Sequence, residues 1–215
     1  DMNNIWHVKI IDQHLPETPY IREGGSLLVM VGLPGTGKSV LVDTLTKRVP
    51  SVIIRTDAVR RLMRSDPRYT ASEMVWVYEV CQRIIEMRLR KGQRVIFDGT
   101  NYQAARRDRL FNVARRMQAV ITVAHVQATE QIIAQRLRDR NSDKRREGDL
   151  SDADLSVYQW MVNAQEPIEG PHIVMDTTQT PPDVLAERLK KYWFDREKHH
   201  TTTGFLTSPW TKPLG

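Results

Sequence analysis

Gly32, Gly35 and Gly37 surround Pro34 and Thr36 and are followed at once by Lys38 and Ser39, so that residues 32–39 read GLPGTGKS. This is the spacing G-x-x-x-x-G-K-[ST]. The chemistry it serves is the holding of phosphate. Glycines let the backbone curl until successive N–H groups point at one place, and the positive end of a following helix adds its pull on phosphate oxygens. Lys38 would then reach the β- and γ-phosphates of a nucleoside triphosphate, and the Ser39 hydroxyl would sit on Mg²⁺. Gly32, Leu33, Pro34, Gly35, Thr36, Gly37, Lys38, Ser39 and Val40 are therefore the expected nucleotide-binding stretch.

Three further groups decide what is done with a bound nucleotide. Asp57, in RTDAVRRLM, ends an apolar run. A carboxylate there would look towards the γ-phosphate and take the proton of a hydroxyl nucleophile, whereas the alternative use of such an Asp is to cap the next helix. Arg60 follows one helical turn later and would face the same space. Asp98 closes the apolar run RVIF, the place for a second carboxylate that holds Mg²⁺ with Ser39 or orients an arginine. Thr100 and Asn101 follow, expected to contact substrate or to fix the turn. The third group, residues 136–152, reads RLRDRNSDKRREGDLSD, polar and strongly basic. It reads as a lid over the phosphates, with a solvated basic surface as the alternative. Arg136 and Arg140 stand at i and i+4 on one helix face and are its inward-pointing members.

Such groups need a scaffold that brings them to one edge. Five short runs rich in Val and Ile, at 27–32, 51–57, 94–100, 119–126 and 172–178, do not alternate with polar residues. Strands of that kind are buried on both faces, as in a parallel sheet. Helical stripes lie between them. Met74, Tyr78, Cys81 and Ile85 recur at spacings of four and three within 71–90, with Thr70 and Glu73 as a capping box and Gly92 as the stop. Leu110, Val113, Ala114 and Met117 form a second stripe within 103–117. Thr180-Pro181-Pro182-Asp183 opens a last helix carrying Leu185, Leu189 and Tyr192. Strands alternating with helices give an α/β domain, and ligands of such sheets bind at the carboxyl ends of the strands.

The 215 residues suffice for one such domain, and 40% apolar residues with ordinary Gly and Pro content exclude a disordered or repetitive chain. No run approaches the roughly 18 apolar residues of a membrane span. Residues 1–25 lack the order of a signal peptide, so a soluble, cytoplasmic protein without membrane contact is expected. Cys81 is the single cysteine and falls on an apolar stripe, which gives it a structural role. Tyr158, Trp160 and Trp193 are expected in the core, and His199 and His200, adjacent in the tail, lack metal-ligand spacing. A net charge of +6 favours a polyanionic or phosphorylated partner.

Taken together, GLPGTGKS, TDAVR, FDGTN and QRLRDRN resemble the P-loop kinases of the polynucleotide 5′-hydroxyl kinase and zeta-toxin type, AAA-type ATP-binding kinases, over about residues 26–195. The resemblance implies a P-loop kinase core: a five-stranded parallel sheet in the order 2-3-1-4-5, with helices on both faces and a basic lid. It implies ATP and Mg²⁺ as cofactors and a hydroxyl group as acceptor. It further implies Lys38 and Ser39 as the Walker A pair and Asp57, in D-x-x-R, as the general base. Arg60 would be the arginine near the acceptor phosphate, Asp98 the strand-end carboxylate, and Arg136 or Arg140 the lid arginine. The polynucleotide kinases have D-T-N where this chain reads Asp98-Gly99-Thr100-Asn101, and the added glycine is similar to looser kinase relatives. The acceptor expected first is the 5′-hydroxyl of a single-stranded nucleic acid end. The alternatives are a small-molecule kinase, for a sugar, nucleotide sugar or metabolite, and an ATP-dependent switch without an acceptor.

Residues 26–195 are read as the kinase domain, with its lid at about 136–152. Residues 1–25 are an N-terminal extension with a short strand, WHVKII, and a Pro-rich continuation; residues 196–215 are a tail with too few hydrophobics to pack alone. Beginning at Asp1, the chain reads as part of a longer protein, either end serving as a linker or dimer contact.

Overall fold

The computed structural model describes residues 2–66, 68, 70–146 and 153–202, and their side chains over 4–140 and 156–200 apart from 67 and 69. The Val- and Ile-rich runs form β1 (Ser26–Val31), β2 (Val52–Arg55), β3 (Arg94–Asp98), β4 (Val120–Gln127) and β5 (Ile173–Asp176). All pair in parallel, in the order β2-β3-β1-β4-β5. Central β1 is buried along its whole length. Its period of two sends Leu27, Val29 and Val31 into one core layer and Leu28 and Met30 into the other.

The first layer is closed by α1 (Met2–His14), α3 (Thr56–Met63), α4 (Ala71–Arg90) and α5 (Ala104–Arg116), the second by α2 (Lys38–Thr46) and α8 (Pro182–Thr202). Each fully buried Leu or Ile in these layers contributes about 2 kcal/mol. Two further helices, α6 (Glu130–Arg146) and α7 (Ala153–Ala164), lie over the loops that leave β1 and β3, where Ile133, Leu137 and Tyr158 pack with Leu33 and Tyr102.

Helix α4 starts as its sequence directs, with the Glu73 N–H donating to Thr70 Oγ1 at 3.2 Å. Tyr78, Cys81 and Ile85 of its stripe are buried. Full burial pushes the Cys81 thiol far above its ordinary pKa, in keeping with a structural role.

Residues 6–11, expected as a strand, lie inside α1. Asn4, Val8 and Ile11 are buried at spacings of four and three, and Asn4 bonds Trp76 and Glu79 of α4. A run as short as WHVKII does not separate a period of two from one of 3.6, and packing on α4 decided for the helix. Arg88, 1% exposed, then ties down the chain behind α1 through Asp12 Oδ1 at 2.7 Å and the Pro16 carbonyl at 2.9 Å. Val8, Ile11 and Leu15 thus pack in the same core as α3, α4 and α5.

Other departures are smaller. Trp160 is 59% exposed, whereas Trp193 and Tyr158 are in the core as expected; Trp160 makes a T-shaped ring contact with Tyr102, the centroids 6.0 Å apart. Strand β2 stops at Arg55, and Thr56 and Asp57 open α3 instead. Helix α8 continues through His199 and His200 to Thr202. Residues 203–215 of the tail lie outside the described residues, as do residues 147–152 of the expected lid. Among the described residues no helix is long and apolar enough to cross a membrane.

Candidate active site

Strand β1 runs directly into the glycine loop. The Gly32 N–H donates to the Thr100 carbonyl at 3.0 Å, fastening the loop to the end of β3. Gly35 and Gly37 take φ of +81° and +88°, a conformation only glycine adopts without strain. A Cβ on Gly35 would also come within 3.0 Å of Ile133 Cγ2. Thr36 is buried, its hydroxyl donating to the Leu33 carbonyl at 2.8 Å. Gly37 is the N-cap of α2 and offers no side chain to the helix end. The first N–H groups of α2 are thereby left for an anion.

Lys38 and Ser39, in the first turn of α2, both turn to Asp98. Lys38 Nζ lies 3.5 Å from Oδ1, and Ser39 Oγ donates to Oδ2 at 3.2 Å. Arg55 completes the cluster with Nε 3.1 Å from Oδ2, and its other arm pairs with Asp43 of α2. The parallel register sets Asp98 opposite both Arg55 and Met30, so the ends of β2, β3 and β1 converge here. Asp98 is only 3% exposed, and a buried carboxylate requires such partners. Burial opposes the charge of Arg55, but Asp43 and Asp98 outweigh it and raise its pKa.

The Ser39 hydroxyl and the Asp98 carboxylate are hard oxygen donors. Mg²⁺ typically takes one or two carboxylates from the protein and fills its shell with water and substrate phosphate, so the pair fits that ion. Among the described residues no group of three His, Cys, Asp or Glu forms a metal cage of its own.

Asp57 lies in the first turn of α3 and is 68% exposed. The N-cap of that helix is Arg55, so Asp57 is not the capping residue. Arg60 Nη1 holds its Oδ1 at 2.6 Å. Arg60 itself is 3% exposed and wedged deeper, with Nε 3.2 Å from Glu73 Oε1 and Nη2 against Met74 Sδ. The D-x-x-R spacing therefore builds an exposed carboxylate braced by a buried guanidinium.

Asn101 is fully buried at φ +48°. Its Nδ2 donates to the Met30 carbonyl at 2.7 Å, and its Oδ1 accepts from the Tyr78 hydroxyl at 3.3 Å. Both ends of the amide are engaged, so Asn101 latches β3 to β1. Thr100 contributes its carbonyl to the glycine loop.

On the opposite flank Arg136 donates to the Gly35 carbonyl at 3.2 Å, to Thr177 Oγ1 at 2.8 Å and to the Thr177 carbonyl at 2.9 Å. Thr177 in turn donates to the Thr36 carbonyl at 2.6 Å. Arg136 and Arg140, with Val40, Thr180 and Leu185, line a cavity of about 350 Å³ beside the loop. That falls in the range of roughly 300–1,000 Å³ usual for small-molecule sites.

The structure thus brings Lys38, Ser39 and Asp98 together, places Asp57 and Arg60 at the end of β2, and puts Arg136 and Arg140 across the loop. The sequence reading overlooked Arg55, Thr177 and Thr180. Arg55 was signalled by a lone charge inside an apolar strand run, and the two threonines by their place beyond the carboxyl end of β5.

Residues 27–168 match the family described as AAA domain. The uncharacterized protein Rv2004c of Mycobacterium tuberculosis is 30% identical over 152 residues, which is 64% of this chain and 30% of that protein. The chain therefore spans less than a third of the length of this relative. Among solved structures, the APS kinase CysC of Mycobacterium tuberculosis, in complex with AMPPNP and APS, superposes with a TM-score of 0.60 at 13% identity, covering 81% of this chain and 98% of that one. A gluconokinase from Sinorhizobium meliloti gives 0.58 at 18% identity, covering 87% of this chain and 100% of that one. Likeness at such identities establishes a common fold, the P-loop kinase fold.

Proposed function

The chain belongs to the AAA domain family, and we propose that it is an ATP- and Mg²⁺-dependent phosphotransferase that moves the γ-phosphate to a hydroxyl acceptor. The observation that carries this reading is the division of labour between two carboxylates. Asp98 is buried and held by Lys38, Ser39 and Arg55; Asp57 is exposed and braced from below by Arg60. A module that only binds nucleotide has use for the first carboxylate alone.

In this mechanism the glycine loop holds the β- and γ-phosphates and Lys38 offsets their charge. Ser39 and Asp98 would hold Mg²⁺, which, when bound, neutralises charge on the phosphate oxygens. Asp57 takes the proton of the acceptor hydroxyl as its oxygen bonds to the γ-phosphorus. The bond from that phosphorus to the β–γ bridging oxygen breaks, and ADP leaves. Arg60 is a positioning residue that acts through Asp57. Arg136 and Arg140 face the nucleotide from the far flank, and the cavity between them and Leu185 receives its base. Residues 26–195 form the catalytic unit, with residues 136–152 as its lid.

The acceptor favoured first is the 5′-hydroxyl of a nucleic acid end, on the net charge of +6 and the D-x-x-R spacing. A small-molecule acceptor is the second reading, favoured by the APS kinase and gluconokinase of the same fold. The test is transfer of labelled γ-phosphate to a panel of 5′-hydroxyl oligonucleotides, nucleosides, sugars and nucleotide sugars. Label on the oligonucleotides alone supports the first acceptor and label on a small molecule the second. Release of free phosphate with no labelled acceptor refutes the kinase reading in favour of a nucleotide-dependent switch.

A further inference from the structure

Thr177 follows β5 directly and joins three parts of the protein: β4, α6 and the glycine loop. Its N–H donates to the Gln127 carbonyl at 2.9 Å, which carries the β4–β5 pairing one residue past the strand. Its hydroxyl accepts from Arg136 Nη1 at 2.8 Å and has a single proton of its own to give. That proton goes to the Thr36 carbonyl at 2.6 Å, nearer than the Gln127 carbonyl at 3.4 Å. The next residue, Thr178, accepts at its hydroxyl from the N–H of Thr129, just ahead of α6, at 3.0 Å.

Arg136 closes this clamp, with Nη1 also donating to the Gly35 carbonyl at 3.2 Å and Nη2 to the Thr177 carbonyl at 2.9 Å. Two successive carbonyls of the glycine loop, those of Gly35 and Thr36, are thereby drawn towards α6 and the end of β5. The approach is close, since a Cβ on Gly37 would lie 3.3 Å from both Arg136 Nη1 and Thr177 Oγ1. A trans peptide carries its C=O and its N–H on opposite sides of one plane. Fixing the Thr36 carbonyl on Thr177 therefore turns the Gly37 N–H the other way. The N–H of Thr36 is engaged within the loop itself, donating to the Leu33 carbonyl at 3.3 Å.

We propose that Thr177 is a positioning residue for the nucleotide phosphates: it acts through the Thr36–Gly37 peptide to aim the Gly37 N–H at a phosphate oxygen, and Arg136 serves the same clamp. A donor aimed before the ligand arrives needs no reorganisation when it binds. The inference rests on the reading of the loop as a phosphate site and divides the two lid arginines. Arg136 acts on the phosphates through the loop, whereas Arg140, exposed one turn further along α6, faces the cavity itself.

Two readouts on the 215-residue chain test it. In the first, ADP is titrated calorimetrically. Thr177→Val, which keeps the shape and loses the hydroxyl, and Arg136→Met should each weaken ADP about tenfold, while Thr177→Ser stays within about twofold of the parent chain. Joining Thr177→Val to Arg136→Met should add little, because both act on the same stretch of loop. Thermal midpoints without ligand show which variants are folded, and Arg136→Met carries both readouts if Thr177→Val is not.

The second readout is the Gly37 amide resonance in a nitrogen–proton correlation spectrum. ADP should move it in the parent chain, in Thr177→Ser and in Arg140→Met, and much less in Thr177→Val and Arg136→Met. A residue that served stability alone would leave that response in place. ADP affinity within about twofold of the parent in folded Thr177→Val or Arg136→Met, or a Gly37 response that survives in them, overturns the proposal. Any labelled acceptor then leaves the kinase reading standing. ADP binding that depends on Thr177, with no acceptor labelled, refutes the kinase reading and leaves the clamp. A parent chain that binds no ADP overturns both.

Discussion

Arg55 Nε lies 3.1 Å from Asp98 Oδ2 across the β2–β3 edge, so the carboxylate that meets Lys38 and Ser39 is also held from the neighbouring strand. Asp98→Asn removes the negative charge that both cations share. Breaking a fully buried pair costs roughly 3–5 kcal/mol, but Arg55 is about a third exposed and keeps Asp43, so a loss of about 2 kcal/mol is expected. Urea unfolding measures it. Saturating ADP should narrow the gap, because its phosphates give Lys38 a new counter-charge.

Asp57 is exposed and braced by Arg60. Asp57→Asn should leave nucleotide affinity within about twofold and lower transfer by about 10²–10⁴-fold, the usual range for a general base. Nucleotide titration beside the labelled-phosphate assay checks both halves. Unimpaired transfer would remove Asp57 from the mechanism.

Arg60 and Glu73 are 3% and 2% exposed, with 3.2 Å between Nε and Oε1. Arg60→Met takes the nearest cation from the buried Glu73 carboxylate, which keeps Arg64 Nε at 3.9 Å and the Arg68 N–H at 2.9 Å, and should cost about 2 kcal/mol, whereas Arg60→Met with Glu73→Leu should recover most of that loss. Denaturant midpoints of the two variants decide it. A double variant as unstable as the single one would show that the pair contributes through its other contacts.

Asn101 holds φ +48° and engages both ends of its amide. Asn101→Ala abandons the Met30 carbonyl and the Tyr78 hydroxyl and puts in the left-handed region a residue without the short polar side chain that makes it tolerable for Asn, for a total of about 2–4 kcal/mol. A latch predicts lost stability. A large rise in acceptor KM with stability intact would instead make Asn101 a substrate contact.

Burial, helped by His172 and Arg107, holds His125 below its ordinary value of 6.5, and burial beside Arg22 does the same to His200. On acidification the unfolded chain binds protons first. The stability these residues contribute is therefore complete above pH 6.5 and is lost as pH falls through that value towards the lower folded pKa values. The exposed carboxylates Asp176 and Glu187, whose own values are lowered, titrate below this window. His125→Gln should flatten the fall of the thermal midpoint between about pH 7.5 and 5. An unchanged slope would assign the effect to His200 or elsewhere.

Much of the scaffold was legible because its signals are local. The strand β1 and the helix α4 follow from short apolar runs, a four-and-three stripe and a threonine cap, each complete within about twenty residues. The glycine loop was legible for the same reason, since its three glycines, lysine and serine are consecutive in the chain. Helix α1 was misread because what decides it is Arg88 and Trp76, more than seventy residues away.

The sequence by itself determined the strands and most of the helices, the phosphate-binding loop, and which carboxylates and arginines stand at strand ends, since all of these depend on near neighbours and on periodicity. Only the tertiary structure decided the pairings. Parallel register placed Arg55 against Asp98, and the packing of α3 on α4 buried Arg60 against Glu73. The docking of α6 beside β5 turned Arg136 to Thr177. A charged side chain carries no local mark of its partner. Its role is set by which groups the fold buries beside it, because burial makes an unpaired charge costly enough to dictate the arrangement.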